Sequence, residues 1–117
     1  MKQIVYYSKP NWEIPIKFFL DEIKMTNIKL FDKIIFKIDL LSEESLWQQD
    51  VKYIWNKLYE LRIKQSTNIS RVFYFTYTNN YIILLDWILK KNNKLKISLI
   101  EKLKIYMNDF LKNIWKI

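Results

Sequence analysis

The sequence contains no cysteine, histidine, glycine or alanine. Without cysteine or histidine the chain has no disulfide framework, no zinc finger, no thiol nucleophile and no Ser/His/Asp triad. Without glycine it cannot contain the dinucleotide-binding fingerprint, the Walker phosphate loop or the nucleophile elbow of hydrolases. These absences exclude many enzyme classes before any motif is considered.

Long hydrophobic runs are also missing. The longest apolar stretch, residues 81–89, contains Asp86, and the mean hydropathy is −0.16. We therefore expect no membrane segment. Residues 1–7 alternate in polarity like a strand and do not resemble a signal peptide, so we expect a cytoplasmic protein. A length of 117 residues is typical of one domain, which we place at residues 1–117.

The positive charge is concentrated in the second half of the chain. The net charge is +8, of which residues 1–58 contribute +1 and residues 59–117 contribute +7. Lysine is spread evenly, nine in each half, so the asymmetry comes from fewer acids and from the two arginines, Arg62 and Arg71. A basic field of this kind favours a polyanionic partner such as nucleic acid.

The hydrophobic pattern predicts an α+β domain with the order β-α-α-β-β-β-α. Residues 3–8 are predicted as a strand. A helix begins near Pro15, and a second helix, capped by Thr26 or Asn27, runs to Ser42; together they form a hairpin. Residues 42–57 show no clear pattern. Strands follow at residues 58–64, 69–77 and 81–89, and a long amphipathic helix begins near Lys96. The predicted sheet is small and mostly antiparallel, with the helices packed on it.

Two details of this prediction are specific. Residues 58–64 alternate, so that Leu61 faces the core and Glu60 and Arg62 face the other way. Asn79 and Asn80 are predicted to supply the positive φ of a hairpin turn. The predicted core contains apolar residues in phase with their elements: Phe19, Ile34, Ile38, Leu61, Phe73, Leu84, Ile100 and Leu103.

Three segments of the second half resemble a known family. They read KLYELRIKQ from Lys57, SRVFYF from Ser70 and LLDWILKK from Leu84. In this succession they are similar to the HigB-like, phage-derived branch of the RelE/ParE superfamily of type II toxins. The resemblance implies a RelE-like single domain that cleaves mRNA on the ribosome without a cofactor and is neutralised by a HigA-like helix-turn-helix antitoxin. Asp86-Trp87 stands where the family pattern has His-Gly.

The predicted strands bring basic and aromatic residues together, as a site for single-stranded RNA requires. The predicted catalytic residues are Arg71, Lys64, Lys90, Lys91 and Asp86. The predicted RNA-binding residues are Arg62, Lys64, Lys94, Tyr74 and Tyr106. No metal site is predicted.

Each role has an alternative. Arg71 is predicted to clamp a phosphate, or else it closes an internal ion pair. Asp86 serves as a base, or it pairs with a lysine. Crowding among Lys64, Lys90 and Lys91 would depress a lysine pKa far enough for base catalysis. Tyr74 and Tyr106 orient a nucleotide or simply pack.

Other functions compete with RNA cleavage. A degenerate toxin would bind its antitoxin or RNA without cutting. A metal-dependent nuclease would use Asp50 and Glu60, followed by Arg62 and Lys64, although Arg stands where such sites need Lys. For a toxin, we expect the antitoxin segment that covers the basic region to be acidic.

Overall fold

The computed structural model describes residues 1–90 and 96–114, and these ranges form three helices and five strands. The helices are α1 (Pro15–Thr26), α2 (Ile28–Ser42) and α3 (Ile97–Lys112). The strands are β1 (Gln3–Tyr6), β2 (Val51–Trp55), β3 (Leu58–Gln65), β4 (Asn68–Tyr77) and β5 (Tyr81–Lys90). The α+β class is confirmed. None of the helices described is long and apolar enough to cross a bilayer.

The five strands form one sheet in the order β1-β5-β4-β3-β2. β1 runs parallel to β5, and the other neighbours are antiparallel. The central positions of β4 and β5 follow from their dense β-branched and aromatic residues.

The strand β2 was not predicted. It lies at the sheet edge, most of its side chains are at least partly exposed, and its register shifts between Tyr53 and Trp55. Exposure and a bulge remove the period-two pattern that identifies a strand in the sequence.

The sheet separates two hydrophobic clusters. On one face, the α1–α2 hairpin packs on alternate residues of β3, β4 and β5, such as Leu61, Val72 and Leu84. On the other face, α3 packs on the residues in between, such as Phe73 and Leu85. The fold is therefore a three-layer sandwich in which β4 and β5 are covered on both sides over most of their length.

Local signals explain the ends of the helical hairpin. Pro15 occupies the first turn of α1, where a missing N–H is harmless. Asn27 caps α2 by accepting a hydrogen bond from the backbone N–H of Leu30 at 3.2 Å, so the predicted cap is confirmed. Its amide also donates to Gln65 at 2.9 Å, which ties the hairpin to the end of β3.

The predicted core is confirmed at seven of its eight positions. Ile100 is the exception, since it is only partly buried. Ile97, three residues earlier in the same helix, is 78% exposed. The buried residues of α3 begin at Leu103, so the first turn of this helix contributes little to the core.

The hairpin turns adopt left-handed backbone conformations without glycine. Asn56 and Lys57 both have positive φ, at 39° and 70°, between β2 and β3. Between β4 and β5 the positive φ belongs to Thr78, at 52°, and not to Asn79 or Asn80. The prediction for the two asparagines was therefore wrong, because the loop has three residues: Tyr77 pairs with Tyr81. Non-glycine residues in this region carry a steric cost.

We predict that Lys57→Gly stabilises the protein by about 0.5–1 kcal/mol, because glycine removes the clash at φ 70° and completes an Asn-Gly turn. Denaturant unfolding measures this change. Lys52→Gly, the same substitution within the exposed strand β2, should instead destabilise. Equal effects of the two substitutions would show that backbone strain at Lys57 is not the cause.

Candidate nucleic-acid interface

The sheet register aligns three rows of residues across β3, β4 and β5 at the end of the sheet where β3 finishes. We call them the charged rows: Glu60, Phe73 and Asp86 in the first, Arg62, Arg71 and Ile88 in the second, Lys64, Ile69 and Lys90 in the third. The described side chains of these rows alternate with residues buried beneath the helical hairpin, so they belong to the α3 side of the sheet. The predicted alternation in β3 is confirmed.

A bulge in β5 determines which way Asp86 faces. Tyr74 pairs with Leu84 and Phe73 pairs with Asp86, which leaves Leu85 as the extra residue. Leu85 packs in the α3-side cluster, and Asp86 forms an ion pair with Lys102 of α3. The bulge thus turns two consecutive side chains toward the same helix, as bulges near functional sites often do.

Arg71 lies inside the protein. Its side chain and that of Glu60 are 0% and 1% exposed, and Arg71 Nε lies 2.9 Å from Glu60 Oε1. Arg62 Nε lies 3.8 Å from the same oxygen, with 24% of its side chain exposed. Glu60 therefore holds both arginines of the chain. This geometry favours the internal ion pair over the direct phosphate clamp, because a buried guanidinium does not reach a phosphate in solvent.

The predicted lysine cluster is partly described. Lys64 is exposed, and its backbone carbonyl accepts a hydrogen bond from the ammonium of Lys33 in α2. Lys90 ends β5 in register with Ile69. Lys91 and Lys94 lie outside the described residues. Among the described side chains of the charged rows, the accessible cations are thus Arg62 and Lys64, which were both predicted.

An open cleft lies beside the first charged row. β1 pairs with β5 only as far as Leu84, and beyond this point the loop after β1, the start of α1 and one side of α3 surround the edge of β5. The cleft has a volume of about 790 Å³. We call it the β5-edge cleft. Asp86 and Tyr106 line it, so two residues predicted from different elements meet there.

Asp86 uses both carboxylate oxygens. Oδ2 lies 2.7 Å from Lys102 Nζ, and Oδ1 accepts the backbone N–H of Trp87 at 2.9 Å. Burial alone would lower the pKa of Lys102, but the hydrogen bond and attraction from Asp86 outweigh it and raise this pKa. Lysine pairing of Asp86 was one of the two predicted roles. The partner, Lys102, was not predicted, because nothing in the helix pattern marks it among the other lysines.

Tyr106 and Tyr74 lie on opposite sides of the sheet. Tyr106 is half-buried in the cleft wall, with its ring centroid 4.8 Å from that of Tyr7. Tyr74 is buried beneath the hairpin and stacks on Tyr59 at 5.5 Å, and burial raises its pKa. Tyr106 can therefore contact a ligand in the cleft. The RNA-binding prediction for Tyr74 has no geometric support, since its ring faces away from the charged rows.

Two exposed aromatic residues of the cleft were missed. Trp12 is 65% exposed and Phe18 is 73% exposed. Phe18 precedes the buried Phe19, and adjacent helical residues point about 100° apart. The adjacency of the two phenylalanines could have revealed this exposure from the sequence, because only one of two consecutive rings on a helix can face the core.

The metal-nuclease interpretation gains no support. Asp50 pairs with Lys37 at 2.9 Å, and Glu60 pairs with Arg71. Over residues 1–90 and 96–114, no three carboxylates gather in a way that could hold a metal ion. The acids invoked for metal binding neutralise cations of the protein instead.

Comparison with family models gives one informative match. The model of the family described as phage derived protein Gp49-like (DUF891) matches residues 21–108. This range contains β2 to β5, and with them all the charged rows, together with Lys102 and Tyr106 of α3. Trp12 and Phe18 precede it. Comparison with curated proteins gives no significant match.

We predict that Arg71→Ala destabilises the protein by about 3–5 kcal/mol, because it leaves the Glu60 carboxylate buried beside a cavity. Chemical denaturation measures the loss. Arg62→Ala removes the more exposed partner of the same carboxylate and should cost about 1 kcal/mol or less.

A double substitution completes this test. Glu60→Leu with Arg71→Met replaces the buried pair by apolar side chains and should recover most of the stability lost in Arg71→Ala. An Arg71→Ala variant as stable as the wild type would contradict an internal role for Arg71.

Proposed function

The chain belongs to the phage-derived Gp49-like family, a RelE/ParE-like toxin family, and on that premise we propose that it is the toxin of a type II toxin–antitoxin system. More specifically, we propose a HigB-like endoribonuclease that cleaves mRNA on the ribosome without a metal ion. In this proposal a HigA-like helix-turn-helix antitoxin neutralises it. The observation that carries the proposal is the juxtaposition of the charged rows with the β5-edge cleft.

The charged rows suit the RNA backbone. Arg62 and Lys64 place two cations on one face of β3, two residues apart, and Lys33 of α2 lies at the carbonyl of Lys64. Residues two apart on a strand are separated by about 7 Å. Such a line of cations can contact successive phosphates, and most of the resulting affinity is electrostatic and falls as salt rises.

The cleft offers groups for acid–base chemistry. Metal-free cleavage begins when the ribose 2′-OH attacks the neighbouring phosphorus. In the proposed mechanism Asp86 accepts the 2′-OH proton, and the Lys102 ammonium donates a proton to the departing 5′ oxygen. The products are a 2′,3′-cyclic phosphate and a 5′-OH. Lys102 is protonated at neutral pH, but the pKa that Asp86 raises makes its ammonium a weak acid as long as the ion pair is intact.

This mechanism requires the substrate to compete for Lys102. Asp86 is 5% exposed and its Oδ2 lies 2.7 Å from the Lys102 ammonium, so this oxygen is occupied by the ion pair and is not free to accept a proton. A scissile phosphate bound at Lys102 would draw the ammonium away from Asp86. RNA binding would then prepare the base and the acid in one step.

Arg71 has a positioning role in this proposal. Arg71 and Arg62 both contact the same carboxylate oxygen of Glu60. The buried Glu60–Arg71 pair therefore fixes the position of the oxygen that Arg62 contacts. Arg62, with Lys64, would then stabilise charge that develops on the phosphate oxygens. Arg71 acts on the RNA only through this arrangement.

A second candidate function is binding without cleavage. It is favoured by a specific observation: Asp86 and Arg71, two of the residues predicted to be catalytic, are both buried in ion pairs. A toxin homologue of this kind would retain RNA and antitoxin binding through the charged rows. Cleavage of mRNA in the presence of ribosomes separates the two functions.

The antitoxin proposal follows from the same charges. Uncovered cations on β3 would bind RNA indiscriminately, so the neutralising segment should be acidic and should cover Arg62 and Lys64. Complementary charge mainly accelerates association, and capture should slow as ionic strength increases.

We predict that the wild-type protein cleaves mRNA in a translation extract even when a chelator is added in excess of free magnesium after ribosome binding. Arg62→Ala and Lys64→Ala should each reduce cleavage by on the order of a hundredfold, as expected for loss of a contact to charge in the transition state. Lys29→Ala removes the same charge from the exposed surface of α2 and should leave cleavage unchanged.

RNA binding by the same variants identifies the reason for any failure. Each lost phosphate contact should lower the slope of log affinity against log salt by about 1. Salt-dependent binding without cleavage would establish the binding-only function. Arg62→Ala and Lys64→Ala variants that bind and cleave like Lys29→Ala would remove the charged rows from the function.

A further inference from the structure

Trp12 is held in an uncommon conformation. Its φ is 70°, in the left-handed region that bulky residues rarely adopt. Backbone hydrogen bonds of 2.8 Å, from Lys9 N–H to the Glu13 carbonyl and from Trp12 N–H to the Lys9 carbonyl, close the loop around it. Asn11 accepts a further bond from Glu13 N–H at 3.1 Å. The loop thus maintains a strained tryptophan whose ring is largely in solvent.

An exposed aromatic ring that lines a cleft is typical of a binding site. Trp12 is 65% exposed and lines the β5-edge cleft. Phe18, 73% exposed, lines the same cleft from the first turns of α1. Trp87, stacked on Phe19 at 4.1 Å between centroids, and Tyr106 supply further aromatic surface. The cleft therefore presents several aromatic rings around one space.

The charges in the cleft balance, in contrast to those of the charged rows. Lys9 pairs with Glu13 at 3.3 Å, and Lys102 pairs with Asp86 at 2.7 Å. The third lysine of the lining, Lys17, is accompanied by Asp21. An aromatic space with balanced charge suits a flat, uncharged group bearing hydrogen-bonding edges.

The cleft and the charged rows are continuous. Asp86 belongs to both, and two residues further along β5 Ile88 is in register with Arg71, whose other neighbour is Arg62. Strands lie about 4.8 Å apart, so Arg62 is on the order of 10 Å from β5. An RNA chain held at Arg62 can place a neighbouring nucleotide in the cleft.

We infer that the β5-edge cleft binds an unpaired nucleobase of single-stranded RNA, with Trp12 and Phe18 as its stacking surfaces. This inference rests on the proposed function, in which the charged rows hold the RNA backbone. It adds a site that lies largely outside the range matched by the family model, since both stacking residues precede residue 21. Stacking tolerates any base, and the carboxylates and ammonium groups nearby would supply preference among bases.

The experiment compares two single-stranded RNA oligonucleotides of equal length, one with all its bases and one abasic throughout, by fluorescence anisotropy. Trp12→Ala and Phe18→Ala should each weaken binding of the complete RNA by roughly tenfold, the effect of losing one stacked base. Neither should alter binding of the abasic chain. Trp47→Ala and Phe36→Ala remove equally large exposed rings, 73% and 60% exposed, from elsewhere on the protein and should change nothing.

The outcomes distinguish this inference from the proposed function. If Trp12→Ala and Phe18→Ala bind both oligonucleotides like the wild type, the cleft is not a base site, although the charged rows can still bind RNA. If they lose antitoxin binding while RNA binding is unchanged, the cleft belongs to a protein partner and the inference is overturned. Thermal melts exclude misfolding of Trp12→Ala, and Phe18→Ala, a substitution on a helix surface, tests the same site independently.

Discussion

The ion pair between Glu60 and Arg71 constrains the whole functional face of the sheet. Its atoms approach to 2.9 Å between neighbouring central strands, in a position where neither side chain reaches solvent. An unpaired charge there would be costly, and the register that pairs β3 with β4 brings the two opposite charges together. The same carboxylate contacts Arg62, so this accessible cation is positioned by an interaction beneath the surface.

The charged rows and the β5-edge cleft divide the requirements of RNA binding between them. The rows supply unbalanced positive charge on strands that are rigid because both faces of the sheet are packed. The cleft supplies aromatic surface and balanced ion pairs, beside the edge that β1 leaves open. The β5 bulge joins the two parts, because it directs Asp86 toward Lys102 while Ile88 stays in register with Arg71. In the proposed enzyme, the chemistry occurs at this junction.

Sequence reasoning predicted the fold well wherever burial of one face gives the apolar residues a regular spacing along the chain. The alternation in β3, the paired strands β4 and β5 and the cap at Asn27 are all confirmed. The edge strand β2 and the positive φ of Thr78 were missed, because exposed strands and turn lengths leave weak signals. At the site, sequence reasoning correctly placed the charged residues on adjacent strands. It did not show which were buried: Arg71 and Arg62 carry the same charge, and only packing separates the internal partner from the accessible one. The roles of Lys102 and Trp12 follow from their proximity to Asp86 and the cleft in the folded protein, and no spacing of residues in the sequence indicates that proximity.

The central claim is that single-stranded RNA lies along the α3 side of the sheet and enters the β5-edge cleft. Chemical-shift mapping of the isotope-labelled protein during titration with a short RNA tests it most directly. The account predicts shifts of backbone amides near Arg62 and Lys64 in β3, near Asp86 in β5 and in the loop that carries Trp12, with none on the outward face of α2. Shifts confined to α2, or spread evenly over the surface without reference to these strands, would contradict it.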